Sequence, residues 1–371
     1  MDWWHRLKKN PLARFGAIIL LVFYFAVIAA DFVAPYDPYA SQANGSLLPP
    51  TQIHWVSQSG QFIGPHVYPT TQGDTDLETG DRKLTVDYKQ PSPLRLFVSG
   101  PKYRLLQMSL PLPPKWKEVT IFPGIPLNWH LFGTTGGAKF NILGTDDQGR
   151  DQFSRLVHGG RISMFIGIFG VAISFPLGLL MGGISGYFGG VTDSIIMRLA
   201  EVLMSFPSIY LLVTLGAVLP PGLSSTQRFV LIVVITSIIG WAGLARVIRG
   251  QVLSIKEREF VQAARAMGGN PLYIILRHVL PQTASYVIIS ATLSVPGFIG
   301  SEAILSLIGL GIQQPDPSWG NMLTLASNAS IIVLQPWLIW PPVVLIILTV
   351  LAFNLLGDGL RDALDPRSLR R

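Results

Sequence analysis

Six long apolar runs constrain this chain more than any other feature of its sequence. They are roughly Phe15–Val33, Ile162–Tyr187, Ser194–Leu219, Phe229–Ala245, Gln282–Ile308 and Gln335–Gly357. Each is close to the ~20 residues that a helix needs to cross the bilayer core. Inside lipid a backbone must satisfy its own hydrogen bonds, so runs of this length read as helices. The expected fold class is an all-α polytopic membrane protein, with six transmembrane helices and an extracytoplasmic insertion between helices one and two. Charge content agrees: 13% of the 371 residues are charged, against about 25% in soluble domains. Arg6, Lys8 and Lys9 precede the first run, as in a secretory signal. That run is longer than a signal core and lacks a small-residue cleavage site after it, so an uncleaved span is expected.

The net charge of +7 raises nucleic acid as a partner, but its placement gives another explanation. Arg6, Lys8, Lys9 and Arg14 flank the first run; Arg246, Arg249, Lys256, Arg258, Arg265 and Arg277 lie between the fourth and fifth; Arg361, Arg367, Arg370 and Arg371 follow the sixth. The intervening short loops carry only Arg228 near 220–228, and no Lys or Arg in 311–335. Basic residues favour the cytoplasmic side, so both termini and the 246–281 loop are expected there, in a multi-pass membrane protein. No nucleic-acid role is needed. The absence of cysteine excludes disulfides, thiolate catalysis and cysteine metal sites.

Four regions follow: 1–35, a cytoplasmic N-terminus and first span; 36–161, an extracytoplasmic insertion; 162–357, a five-helix core containing the 246–281 loop; and 358–371, a cytoplasmic tail. Long loops without structure are uncommon, and "QFIGPHVYP", "KLTVDYK" and "LRLFVSG" within the insertion alternate or cluster like strands. Asp74, Asp76 and Glu78 loosely match a calcium loop, but the glycine falls one position late at Gly80, so a solvated hairpin tip is expected.

Several spans carry features that an inert anchor does not need. Gly178, Gly182 and Gly186 recur every fourth residue, presenting a stripe of small residues on one helix face for close helix packing. Pro176, Pro207 and Pro296 each remove a helical hydrogen bond and allow a bend. Arg198 and Glu201, three apart, can pair. Glu302, deep in the fifth run, has no sequence-local partner, and a charge in the membrane is a candidate polar site.

Between the fourth and fifth runs lies "EFVQAARAMGGNPLYIILRHVLP" (259–281). Lys256–Met267 has good helix formers, Gly268-Gly269 supplies a left-handed stop, and Asn270-Pro271 opens a second helix expected to end near Pro281. Ala263 and Ala264 keep the first helix slim enough for another surface to approach, with Glu257, Arg258, Glu259 and Arg265 as a polar rim. An amphipathic helix lying on the membrane surface fits the same pattern.

This segment resembles the EAA loop of bacterial ABC-importer permeases, EAA-x₃-G followed by I-x-LP. Gln262-Ala263-Ala264 takes the EAA position, Gly268 the glycine, and Leu280-Pro281 the closing pair, while Gln262 replaces the acid and His278 the isoleucine. "LGTDDQGRDQFSRLVHGGRIS" (143–163), "GYFGGVTDSIIMRLAEVLMSFPSIYLL" (186–212), "LSLIGLGIQQPDPSWGNML" (305–323) and "LTVLAFNLLGDGLRDALDPR" (348–367) resemble the dipeptide/oligopeptide permease family, specifically the second of its two permease subunits. The 40–140 segment fits that pattern poorly. The resemblance implies a transporter subunit rather than an enzyme. Its partners would be a homologous second permease, two ATP-binding subunits and an extracytoplasmic substrate-binding protein, within the lipid of a bacterial plasma (inner) membrane. Segment 257–270 would be the coupling helix, with Glu259, Gln262, Ala263, Ala264, Gly268, Leu280 and Pro281 as ATPase-coupling residues. No phosphate-binding loop of the G-x₄-GK-[ST] type is present, and no cofactor is expected on this chain. An ion-gradient-driven secondary transporter is the alternative, with Glu302 as its embedded acid.

Overall fold

A computed structural model of the chain describes residues 2–75, 82–112, 117–220 and 222–364. A short helix α1 (Asp2–Lys9) leads into α2 (Pro11–Ile28), continued by α3 (Ala30–Val33). Strands β1 (His54–Val56), β2 (Phe62–Val67), β3 (Thr70–Thr75), β4 (Arg82–Val86), β5 (Ser92–Leu105), β6 (Met108–Leu112), β7 (Lys117–Phe122) and β8 (Ile125–Thr134) make the insertion. The rest is helical: α4 (Gln152–Phe188), α5 (Gly190–Ser205), α6 (Ser208–Ala217), α7 (Ser225–Ile255), α8 (Glu259–Ala266), α9 (Pro271–Ile274), α10 (Ala284–Leu307), α11 (Trp319–Met322), α12 (Ala329–Leu334) and α13 (Trp340–Leu364).

Five segments are long and apolar enough to cross a membrane, and α5 with α6 makes a sixth if that pair, bent by 85°, is one span. The bend falls at Phe206-Pro207. Pro176 and Pro296, by contrast, lie inside the unbroken helices α4 and α10. Two boundaries differ from expectation. Helix α4 starts at Gln152, because the Asp151 side chain accepts from the Ser154 amide at 2.7 Å and caps it; the insertion therefore ends before 152 rather than at 161. Helix α7 runs to Ile255 rather than stopping at Ala245, because Ile248, Val252 and Ile255 are buried along its extension. The loop expected over 246–281 is correspondingly shorter.

The insertion forms a four-stranded antiparallel sheet, β1-β2-β5-β8, with hairpins β3-β4 and β6-β7. All three peptides read as strands fall in β2, β4 and β5. The fold is thus helical in its spans, as expected, and the insertion between the first and second carries the expected strands. Of the calcium-like loop, Asp74 lies in β3, and Asp76, Glu78 and Gly80 lie outside the described residues, as do Arg367, Arg370 and Arg371 of the 358–371 tail.

Helix α4 is the spine of the bundle, packing on α7 and α10, while α13 packs on α2 and α10. The glycine stripe makes the α4–α7 contact. A Cβ at Gly178 would meet Leu244 Cδ2 at 2.9 Å; at Gly182, the Ala245 carbonyl oxygen at 2.5 Å; at Gly186, the Arg249 carbonyl oxygen at 2.8 Å. Asp193 of α5 accepts two hydrogen bonds from Arg249 of α7, at 2.5 and 2.6 Å, and one from Ser185 of α4 at 2.5 Å. Arg198 and Glu201 come only to 3.8 Å and are exposed. The tie among α4, α5 and α7 is Asp193–Arg249, which sequence spacing alone did not reveal.

The segment 143–163 forms a buried polar knot where the insertion joins the bundle. Asp146 is paired with Arg150 at 2.7 Å and with Arg155 at 3.3 Å. Arg155 also donates to the carbonyls of Pro38 and Pro315 and to the Gln314 side chain. Next to it, Asp151 Oδ1 is buried without a hydrogen bond, and burial pushes the Asp151 carboxyl up to about 6 against the opposing Ser154 hydrogen bonds. The folded protein holds this proton more tightly than the unfolded chain. Its stabilising contribution is therefore complete below the ordinary carboxylate range and is lost as pH rises through about 6. Asp151→Asn is expected to raise the thermal midpoint in detergent near pH 7.5, with the gain closing towards about pH 4. A gain of equal size at both pH values would show that the charge is not responsible.

Candidate coupling corner and membrane cavity

Helix α8 lies at the end of the bundle opposite the insertion, since α4 runs about 55 Å at 1.5 Å per residue from the Asp151 knot to Tyr187. Arg265 of α8 stacks over the Tyr187 ring at 4.5 Å, and its Nε donates to the Tyr187 hydroxyl at 3.0 Å. Lys256 Nζ donates to the Gly186 carbonyl at 3.0 Å. Val261 and Ala264, three apart on one helical face, are buried with Tyr187, Ile248, Val252, Ile274, Ile275 and Val279. The corner is thereby fastened to both α4 and α7, so displacing α8 must load both helices.

The structure separates the two alanines that the sequence placed together. Ala263 is exposed, whereas Ala264 is only 6% exposed and belongs to the internal face. Glu259 and Gln262 are on the outer side. Gln262 Nε2 donates to the Lys256 carbonyl at 3.1 Å. A carboxylate could not make that bond, so the amide at this position is used as an amide and no salt bridge is required of it. Gly268 adopts φ +78° and a Cβ there would meet nothing within 4 Å: the turn needs glycine, and the space outside it is open. Asn270 caps the next helix by accepting from the Leu272 amide at 2.9 Å. That helix does not end near Pro281. It passes through one π turn (Ile275–Val279) and a 3₁₀ turn (Leu280–Thr283) into α10. Pro281 sits in the first turn of the 3₁₀ segment, where its missing amide is not needed. Leu280 packs towards Gly183 of α4.

Sequence reasoning looked for a polar rim here and missed an apolar one. Phe260, Met267, Leu272, Tyr273 and Leu276 stand exposed around the Gly268 turn, Met267 at 82%. The signal was present in the side chains themselves, at positions where α8 and α9 have no internal face left to offer.

A second feature lies within the spans. An open cavity of about 330 Å³ is bordered by Ser174 and Phe175 of α4, Ser208 of α6, Thr236 of α7, and Ser294 and Ser301 of α10, with no charged side chain in its lining. The hydroxyls of Thr236, Ser294 and Ser301 each donate to a carbonyl of their own helix. Their oxygen lone pairs remain available as acceptors.

Glu302 is not in that lining. It is fully buried, and its carboxylate oxygens accept from Ser163 Oγ at 3.0 Å and Ser306 Oγ at 2.7 Å. Ser306, one turn along the same helix, is the local partner that the sequence reading overlooked. Both serines are also acceptors, Ser163 from the Trp319 amide and Ser306 from the Ile312 amide, each at 3.0 Å. Glu302 thus sits near the end of α10 rather than deep in it, and holds the 309–322 segment to α4 and α10.

Residues 174–370 match the family described as the binding-protein-dependent transport system inner membrane component, and residues 1–50 match the N-terminal transmembrane domain of oligopeptide transport permease C. The chain is 32% identical over 372 residues to the dipeptide transport system permease protein DppC of Bacillus subtilis, covering 100% of this chain and 86% of that protein. It is 43% identical over 241 residues to the oligopeptide transport system permease protein OppC of Haemophilus influenzae, covering 65% of this chain and 75% of that one. Identity to the glutathione transport system permease protein GsiD of Pectobacterium atrosepticum is 41% over 232 residues, covering 62% and 74%. Spans, broken helix and matches agree, and the chain belongs to the binding-protein-dependent transport system inner membrane component family, as a multi-pass permease subunit of an ABC importer.

Proposed function

We propose that this permease imports peptides, with the corner Lys256–Asn270 seated in a groove of an ATP-hydrolysing partner. One observation carries the docking reading: an apolar collar surrounds an open glycine turn whose inner face is fastened to α4 and α7. An unpartnered collar of this kind fits a protein groove, and its anchors give a route from that groove to the spans. ATP binding would draw two ATPase subunits together, move α8, and rock α4 and α7 with it. A homologous second permease would close the path across the cavity bordered by Ser174 and Thr236. Uncharged hydroxyl acceptors there suit the N–H groups of a peptide backbone irrespective of side-chain charge, in keeping with relatives named for dipeptide, oligopeptide and glutathione transport. The distribution of basic residues supports a cytoplasmic location for α8 and both termini, with the β insertion outside, where it would face a substrate-binding protein. The permease itself would hold no cofactor. The caged position of Glu302, with both oxygens engaged, favours no ion-driven reading.

The test uses the absence of native cysteine. A photo-cross-linker on Ala263→Cys, in membranes containing the whole transporter, is expected to capture an ATPase subunit. On Ala264→Cys, which faces inward, it should capture this chain alone. Lipid adducts alone from position 263 would overturn the docking reading in favour of a helix lying on the membrane surface.

A further inference from the structure

We propose that the β insertion rests on the bilayer, burying Leu96 and Phe97 in the headgroup–acyl boundary beside the end of α2. The level of that boundary is set by α2 itself. Its 18 residues span about 27 Å at 1.5 Å each, close to the ~30 Å hydrocarbon core. Its last carbonyls, Val27 and Ile28, accept from the Arg161 guanidinium at 3.0 and 3.2 Å, and Arg161 also pairs with Asp31 at 2.5 Å. Charge therefore first appears at this height, where a long basic side chain reaches out of lipid. Phe32, one residue beyond Asp31, is at the same height.

The insertion is held there. Helix α3 packs on β5 and β8, and the buried His130 ring of β8 lies between two carbonyls, Ala34 at 2.7 Å from Nδ1 and Pro101 of β5 at 3.2 Å from Nε2, with its N–H directed at one of them. The Phe97 ring of β5 comes to 6.3 Å from the Phe32 ring, tilted by 32°. Phe97 has φ +53°, a conformation that a bulky residue adopts only under constraint. Leu96, its neighbour on the strand, is exposed as well, at 71% against 57% for Phe97.

An aqueous surface gives no reason to present two adjacent large apolar side chains at a strained position. A bilayer boundary does, since the Phe and Leu side chains of surface-bound segments bury there. Lipid is favoured over a protein partner by continuity: the exposed flank of α2, with Leu21, Phe25 and Ile28, leads directly to Phe32 and on to Phe97. The apolar surface of the span and that of the strand form one surface.

Spin labels at Phe97→Cys and, separately, at Leu96→Cys test this in the complete transporter in lipid nanodiscs. Phe62→Cys, at an exposed position on β2, serves as reference. Oxygen, which concentrates in lipid, is expected to relax labels 96 and 97, with a loss of access to a water-soluble nickel chelate relative to label 62. Two results overturn the proposal. One is nickel access at 96 and 97 equal to that at 62. The other is exclusion of both reagents, which would mean burial against the second permease or the binding protein. Either cysteine suffices if the other variant fails to fold.

Discussion

Gly182→Leu is expected to prevent the bundle from assembling, and to be the most damaging single substitution in the membrane core. A Cβ at this position would lie 2.5 Å from the Ala245 carbonyl oxygen and 2.9 Å from Ile248 Cβ. The first of these is backbone on the facing helix, so no rotamer change relieves it. Helices α4 and α7 would have to separate, and the close contacts at Gly178 and Gly186 on either side would open with them. Overpacking alone costs about 1–3 kcal/mol and occasionally more. Here it also forfeits the close contact that substitutes for hydrophobic driving force between helices in lipid. The measurement is the thermal midpoint and the monodisperse fraction in detergent, against Gly243→Leu on α7. A Cβ at Gly243 meets nothing within 4 Å, so that variant should resemble the parent. If both variants melt together, the close approach of α4 and α7 is not what holds the bundle.

Glu302→Ala is expected to have the second largest effect. It leaves the Ser163 and Ser306 hydroxyls facing a void, and each loses its hydrogen bond to the carboxyl group. At roughly 1–3 kcal/mol for each buried group left unsatisfied, the pair accounts for about 2 kcal/mol or more. The 309–322 segment should loosen first, because its Ile312 and Trp319 amides depend on the same two serines. Faster limited proteolysis between Gly309 and Trp319 would report this. Glu302→Gln keeps the shape and one acceptor, and separates architecture from transport. If Glu302 is a scaffold, uptake by the Gln variant should follow its abundance in the membrane. A Gln variant that is fully abundant yet inert would instead make the carboxylate part of the transport path.

Most of the architecture was legible because lipid narrows the choices. A run such as Phe229–Ala245 can only be a helix, and stripes such as Gly178–Gly182–Gly186 mark a face without reference to what meets it. The Asn270-Pro271 start and the Gly268 turn were likewise readable, because their chemistry is local. What was hidden depended on partners distant in sequence. Asp193 was visible as a charge, but Arg249 belongs to a helix whose end was expected earlier. The inward orientation of Ala264 follows from Val261 finding a core, and no local rule says which face of α8 that will be. Glu302 was conspicuous, but its partners were hidden for the same reason: Ser163 is on another helix, and serine at Ser306 does not announce itself as a ligand. The insertion yielded strands but not their order, since β2, β5 and β8 pair across intervening hairpins.

The broken helix at Phe206-Pro207 also has a consequence for the life of the chain before it meets its partners. Neither arm is long enough to cross alone: at 1.5 Å per residue, the 16 residues of α5 and the 10 of α6 reach about 24 and 15 Å. Between them the backbone leaves its helical ladder some 24 Å from the α8 end. Ser205 returns one hydrogen bond, to the Val202 carbonyl at 2.7 Å, but α6 begins without a side-chain cap, and Phe206 and Tyr210 stand exposed. Irregular backbone at this depth is tolerated only against protein or a water-filled cavity. Ser208, beside the break, borders the open cavity, so the free subunit leaves irregular backbone at bilayer depth that only the water of that cavity or a neighbouring protein can cover, and its stable residence in lipid is thereby tied to assembly.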